Sequence, residues 1–274
     1  MTAGPTELSY GLAAFLGAVQ GVAEFLPISS SGHLSLLQAW LGIDAEAAGH
    51  SFNIVVHAGT LLAVLLVYRR DLYDIGRGLV RPEEVPWARK TFLAMVLGSL
   101  PLALVLLPGV EEWVVRMEGE VRWIGCALLV TAALLAFTHR RKTPTDEVDQ
   151  PPTPVNAGLI GLAQLLAVVP GVSRSGSTIA AGLALGMGRA RAARFSFLLS
   201  IPAVAAATAK ECLDLVTSDV APSFDLGPFL LGFALSFLVG IAALRLLLEL
   251  IERLGMLPFV PYLAVLGLVA IIVG

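Results

Sequence analysis

Charge is scarce in this sequence. Asp, Glu, Lys and Arg make up 14% of the 274 residues, against about 25% in soluble domains, which excludes an ordinary hydrated surface. No block of like charge suggests nucleic acid, and the net charge of −3 says nothing about partners. Lys and Arg are absent before Arg69. A secretory signal needs a positive start, so the apolar N-terminal stretch is expected to stay in the mature protein. Cysteine is nearly absent too. Cys126 and Cys212 lie in or near apolar segments without metal-ligand spacing, so they read as small packing residues and do not report the redox compartment.

What is abundant is apolar sequence, 57% of residues. Several stretches run for 17 or more residues with little charge, long enough to cross a hydrocarbon core of about 30 Å. Six spans are predicted, at about 50–68, 91–109, 121–138, 194–210, 228–250 and 257–274. Two more apolar stretches, 8–42 and 155–187, are interrupted. The first break reads Pro27-Ile28-Ser29-Ser30-Ser31-Gly32-His33, and the second Pro170-Gly171-Val172-Ser173-Arg174-Ser175-Gly176-Ser177. Unpaired backbone in lipid costs several kcal/mol per group, so such breaks survive only inside protein or beside a wet cavity. Each half is too short to span, which predicts two re-entrant helix pairs.

With the N-terminus outside, 14 of the 18 Lys and Arg fall on the inner side. That fits the positive-inside bias and puts both termini outside. Trp40, Trp87, Trp113 and Trp123 fall near segment ends, as interfacial anchors do. An internal repeat agrees. Shifted by 144 residues, Gly17, Gln20, Ala23, Ser29, Ser31 and Gly32 fall on Gly161, Gln164, Ala167, Ser173, Ser175 and Gly176. The predicted fold is an all-α polytopic membrane domain, an inverted-topology repeat of halves about 8–138 and 155–274 linked by a polar loop 139–154. One break would dip from each side, and the two would meet near the midplane.

Gln20 and Glu24 are four apart and share a helix face. A carboxylate in a membrane helix is expensive and marks a functional candidate, as metal ligand or general base. Otherwise it is a structural partner of the opposing break. Ser29, Ser30 and Ser31 precede an apolar helix, where they cap it or gather N–H groups for phosphate. His33 is suited to accepting a proton or attacking phosphorus. Arg174, among Ser173, Ser175, Ser177 and Thr178, needs an anionic partner at this depth, and its planar fork suits phosphate or carboxylate. His57 and Asn53 share a face of a spanning segment and read as packed polar residues. His50 and His139 read as interfacial.

Residues Gln20 through His33, and Pro170 through Thr178, resemble the two signatures of the bacitracin-resistance family, the undecaprenyl-diphosphate phosphatases. The resemblance implies hydrolysis of a polyprenyl diphosphate to the monophosphate and inorganic phosphate, recycling the lipid carrier for the cell wall. It also implies a bacterial plasma membrane, a site open to the outer side and a divalent cation, magnesium or calcium. By motif position the family's acidic residues fall on Gln20 and Glu24, its serine and histidine on Ser30 and His33, and its phosphate-binding arginine on Arg174, with Ser173 and Thr178 close by. Many members carry Glu where this chain has Gln20, which leaves one carboxylate for the metal. Three nucleophiles stay open: Ser30 activated by His33, His33 itself, or a metal-bound water. A lipid-phosphate transporter would also want an Arg and an acidic group between broken helices. Membrane lipids are expected partners. Surfaces for lipid and for a second copy look alike, so a homodimer is open.

Overall fold

In lipid, an apolar chain satisfies its own N–H and C=O groups by coiling into helix. The computed structural model describes residues 8–43, 50–139, 150–217 and 226–274, and among them the chain forms helices and no strand. The helices are α1 (Tyr10–Ala23), α2 (Ser30–Leu41), α3 (His50–Val67), α4 (Arg69–Val80), α5 (Ala88–Ser99), α6 (Val110–Glu118), α7 (Val121–His139), α8 (Pro154–Leu166), α9 (Arg174–Ala184), α10 (Arg189–Thr217), α11 (Leu226–Leu254) and α12 (Phe259–Val273). Their ends follow local chemistry. Ser9 caps α1 by accepting the Leu12 N–H at 3.2 Å. Thr153 caps α8 with Pro154 in its first turn, where a missing N–H is harmless.

Four helices are long and apolar enough to cross a membrane: Ala88–Leu106, Val121–Thr138, Arg189–Lys210 and Leu226–Leu254. Together α3 and α4 would make a fifth, bent by 68°. The chain is therefore a multi-pass membrane protein. Large apolar side chains such as Leu100, Val130 and Leu238 are exposed along these helices, as lipid-facing positions are. Cys126 is also exposed, so it faces outward from α7 instead of packing inside; the side chains of Cys212, His50 and His139 are outside what the structure describes.

Differences from the expected spans have local causes. After Ser99 the helix tightens to a 3₁₀ turn, Leu100–Leu106, with Pro101 at its start, since proline cannot donate to the α-ladder. The expected span at 257–274 is the 15-residue α12, about 22 Å long at 1.5 Å per residue. The charged stretch after residue 68 is not a plain loop. Its residues 69–80 form α4, which buries Ile75 and Gly78 against α5 and exposes Arg69, Arg70 and Arg77. The start of α4 is tied to α10 by Arg194 donating to Asp71 at 2.6 Å, and that guanidinium lies 4.7 Å from the centre of the Trp87 ring. Trp87 is thus a packing partner within the fold, whereas Trp40, Trp113 and Trp123 are exposed.

The core sits around the breaks. Phe25, just past Glu24, is fully buried and meets Phe197 of α10 edge-on at 6.0 Å. Burying such rings contributes about 1.5–3 kcal/mol each, which anchors an irregular segment that has no helix of its own.

Candidate active site

Helix α1 stops at Ala23, and α2 restarts at Ser30. Helix α8 stops at Leu166, and α9 restarts at Arg174. Both restarts use one device. The Ser29 hydroxyl accepts the Gly32 N–H at 3.3 Å, and the Ser173 hydroxyl accepts the Gly176 N–H at 3.1 Å. Each serine oxygen also lies beside its second neighbour's: Ser29–Ser31 at 3.4 Å and Ser173–Ser175 at 3.3 Å. The two breaks touch. A Cβ added to Gly32 would come within 2.9 Å of the Gly171 Cα. Gly171 has φ 94°, a conformation that glycine adopts without penalty. Ser175 donates to the Leu26 carbonyl at 3.2 Å, stitching the second break to the first.

Glu24 lies at the centre and is buried. Arg174, 150 positions away, donates to its Oε1 at 2.5 Å. Ser30 donates to its Oε2 at 2.7 Å, and the Gln20 amide to the same oxygen at 3.1 Å. His57 Nε2 lies 3.7 Å from that oxygen, and its Nδ1 bonds to the Asn53 carbonyl at 2.7 Å. A carbonyl only accepts, so Nδ1 donates to it and Nε2 is turned to the carboxylate. The N-terminal turns of α2 and α9 converge here as well. Each carries unpaired N–H groups and the positive end of a helix dipole, which favour an anion.

The expected residues divide by their bonds. Gln20, Glu24, Ser30 and Arg174 form one connected cluster. Ser29, Ser173 and Ser175 hold the breaks in shape, and Ser31 is half-buried beside Ser29. Thr178 bonds to the Arg174 carbonyl and to Ser196 of α10, both on the protein side. His33 is not on Ser30. Its Nδ1 meets the Ser29 carbonyl at 2.7 Å and its Nε2 the Tyr262 hydroxyl at 2.6 Å.

Three contributors escaped the sequence reading. His57 read as a packed polar residue, yet it faces Glu24. Thr131 of α7 accepts the Ser173 N–H at 3.1 Å and lies 3.1 Å from the Gly171 carbonyl. Tyr262 sits on the apolar α12 with no neighbouring motif. Only the polar spacing of Asn53 and His57 on one helix face hinted at any of these.

For a metal the donor set is spare. Among the described residues no three His, Cys, Asp or Glu side chains gather as ligands. Glu24 supplies the one carboxylate, and the buried Gln20 Oε1 has no hydrogen-bond partner. This fits a hard cation that takes most of its shell from phosphate oxygens and water, as magnesium does.

Residues 13–269 match the family described as Bacitracin resistance protein BacA. The chain belongs to that family. Within it, the chain is similar to the undecaprenyl-diphosphatase of Desulfosudis oleivorans, 41% identical over 271 residues covering 94% of this chain and 96% of that protein. An undecaprenyl-diphosphatase of Marinobacter nauticus is 40% identical, with 93% and 95% covered. One from Methanosphaera stadtmanae is 38% identical, with 96% and 97% covered. Both breaks, 27–33 and 170–177, lie inside the region that matches BacA.

Proposed function

We infer that this BacA-family chain hydrolyses undecaprenyl diphosphate to undecaprenyl phosphate and inorganic phosphate at the membrane; its relatives carry the name undecaprenyl-diphosphatase. The observation that carries the reaction's chemistry is Glu24 holding a hydroxyl and a guanidinium at once, Ser30 at 2.7 Å and Arg174 at 2.5 Å. In turnover the terminal phosphate draws Arg174 away from Glu24 and settles on the N–H groups of α2 and α9. Ser30 Oγ attacks the terminal phosphorus in line while its proton passes to Glu24. The bond to the bridging oxygen breaks, and undecaprenyl phosphate departs with the electron pair. Glu24 passes that proton to the departing undecaprenyl phosphate, then takes one from the water that attacks the phosphoserine and returns it to Ser30 as inorganic phosphate leaves. Most of the barrier is lowered by placement and charge stabilisation. When bound, a divalent cation, magnesium or calcium, neutralises charge on the diphosphate, and Glu24 and the Gln20 Oε1 are the residues that would hold it.

The geometry favours Glu24 over His33 as the base for Ser30, because both His33 nitrogens are committed elsewhere. Acid-quenching purified protein during turnover of terminal-phosphate-labelled substrate tests this. Label on Ser30 is expected. Phosphate release without labelled protein would leave direct attack by water. No phosphate release in detergent would remove the hydrolase reading altogether.

The same reading takes the chain as six crossings and two re-entrant pairs in halves 8–138 and 155–274, with both termini and the open side of the site outside. Support comes from exchanged packing. Helix α1 packs on α11 while α8 packs on α5, and α3 packs on α10 as α7 does on α12. Impermeant maleimide labelling of single cysteines at Leu8 and Val273, with Cys126 and Cys212 replaced, checks the orientation. A homodimer is compatible with the exposed apolar faces, and cross-linking in native membranes tests it.

A further inference from the structure

Ser29 has φ 71° and ψ 101°, and among the described residues no other non-glycine has a positive φ. A serine held there is strained and persists only where its surroundings over-determine it. The strained residue immediately precedes Ser30, so the orientation of the peptide between them aims the Ser30 side chain. The carbonyl of that peptide is the Ser29 oxygen that meets His33 Nδ1 at 2.7 Å. This bond exists only if Nδ1 bears the hydrogen, because a carbonyl cannot donate. A neutral imidazole carries one hydrogen, and its partner at the other nitrogen decides where it sits. That partner is Tyr262, whose hydroxyl lies 2.6 Å from Nε2 and whose ring stacks on His33 at 5.7 Å and 15°.

We propose that Tyr262 is a positioning residue for the hydrolysis, fixing the tautomer and plane of His33 so that the ring holds the Ser29 carbonyl and aims Ser30 at Glu24. Tyr262 acts through His33 and touches neither substrate nor the reacting atoms. It comes from α12, 229 positions from His33, so the end of the chain completes the geometry set by its beginning. The proposal rests on the hydrolase reading above.

Tyr262→Phe keeps the stacked ring and removes only the hydroxyl. Loss of one neutral hydrogen bond predicts a kcat about fivefold to tenfold lower, with KM within about twofold and a melting temperature lowered only slightly. In a His33→Gln background the same change should have no further effect, as a double-mutant cycle requires of a residue acting only through another. Nitrogen-15 NMR of His33 should show the Nδ1-protonated tautomer in the unaltered protein and its partial loss in Tyr262→Phe. Full kcat in Tyr262→Phe, a loss that persists without His33, or an Nε2-protonated ring in the unaltered protein each overturns the proposal. If the unaltered protein releases no phosphate, the hydrolase reading fails by itself, and the tautomer measurement still decides the role of Tyr262.

Discussion

At the first break Ser29 caps its helix with φ 71°; at the second, Ser173 makes the same bond with φ −74°. The capping chemistry is shared, but one backbone is strained and the other relaxed. The strained copy adjoins the hydroxyl that meets the carboxylate. The relaxed copy adjoins the arginine, whose long side chain reaches Glu24 without help from its backbone. A short side chain is aimed by its backbone, and a long one is aimed by its partner.

The widest separation between the two breaks should come from Ser30→Ala, which removes the oxygen proposed to attack phosphorus and should lower kcat by about a thousandfold or more. Phosphate release by the purified variant measures it. On the other break, Arg174→Ala should cost about a hundredfold to a thousandfold in kcat/KM. Arg174→Lys should recover little, because a point charge lacks the planar fork. Thr131→Val leaves the Ser173 N–H without its acceptor and should lower stability by about 1–3 kcal/mol, read as a drop in melting temperature in detergent. The smallest effect sharpens the comparison most. Ser29→Gly loses a cap worth only a few tenths of a kcal/mol against glycine and relieves the positive φ, so its melting temperature should hold or rise. Ser173→Ala, with no strain to relieve, should cost about 1 kcal/mol. If both fall alike, the strain assigned to Ser29 is wrong.

The convergence of Glu24 and Arg174 was legible in the sequence because charge in a membrane segment needs a partner, and each interrupted stretch held one sign. Ser-x-Ser-Gly at both breaks was legible because capping is local, spanning three residues. Tyr262 and Thr131 were not legible. Their bonds bridge 229 and 42 positions, and a single hydroxyl in an apolar helix carries no periodic signal. The expected proton transfer from Ser30 to His33 rested on their nearness in sequence. On a helix, residues three apart share a face, but Ser30 opens α2 and turns back to Glu24 instead. The bend at Tyr68 was hidden because charge after an apolar run reads equally as loop or as surface helix.

The Glu24–Arg174 pair also bears on the state of the site between turnovers. With no lipid headgroup present, acid and base quench each other, and the protein carries no naked charge into a medium that would punish it. Any visitor must outbid a carboxylate already in place. A carboxylate or other small anion offers little more than Glu24 does, whereas a terminal phosphate brings several acceptor oxygens to the guanidinium and the helix ends together.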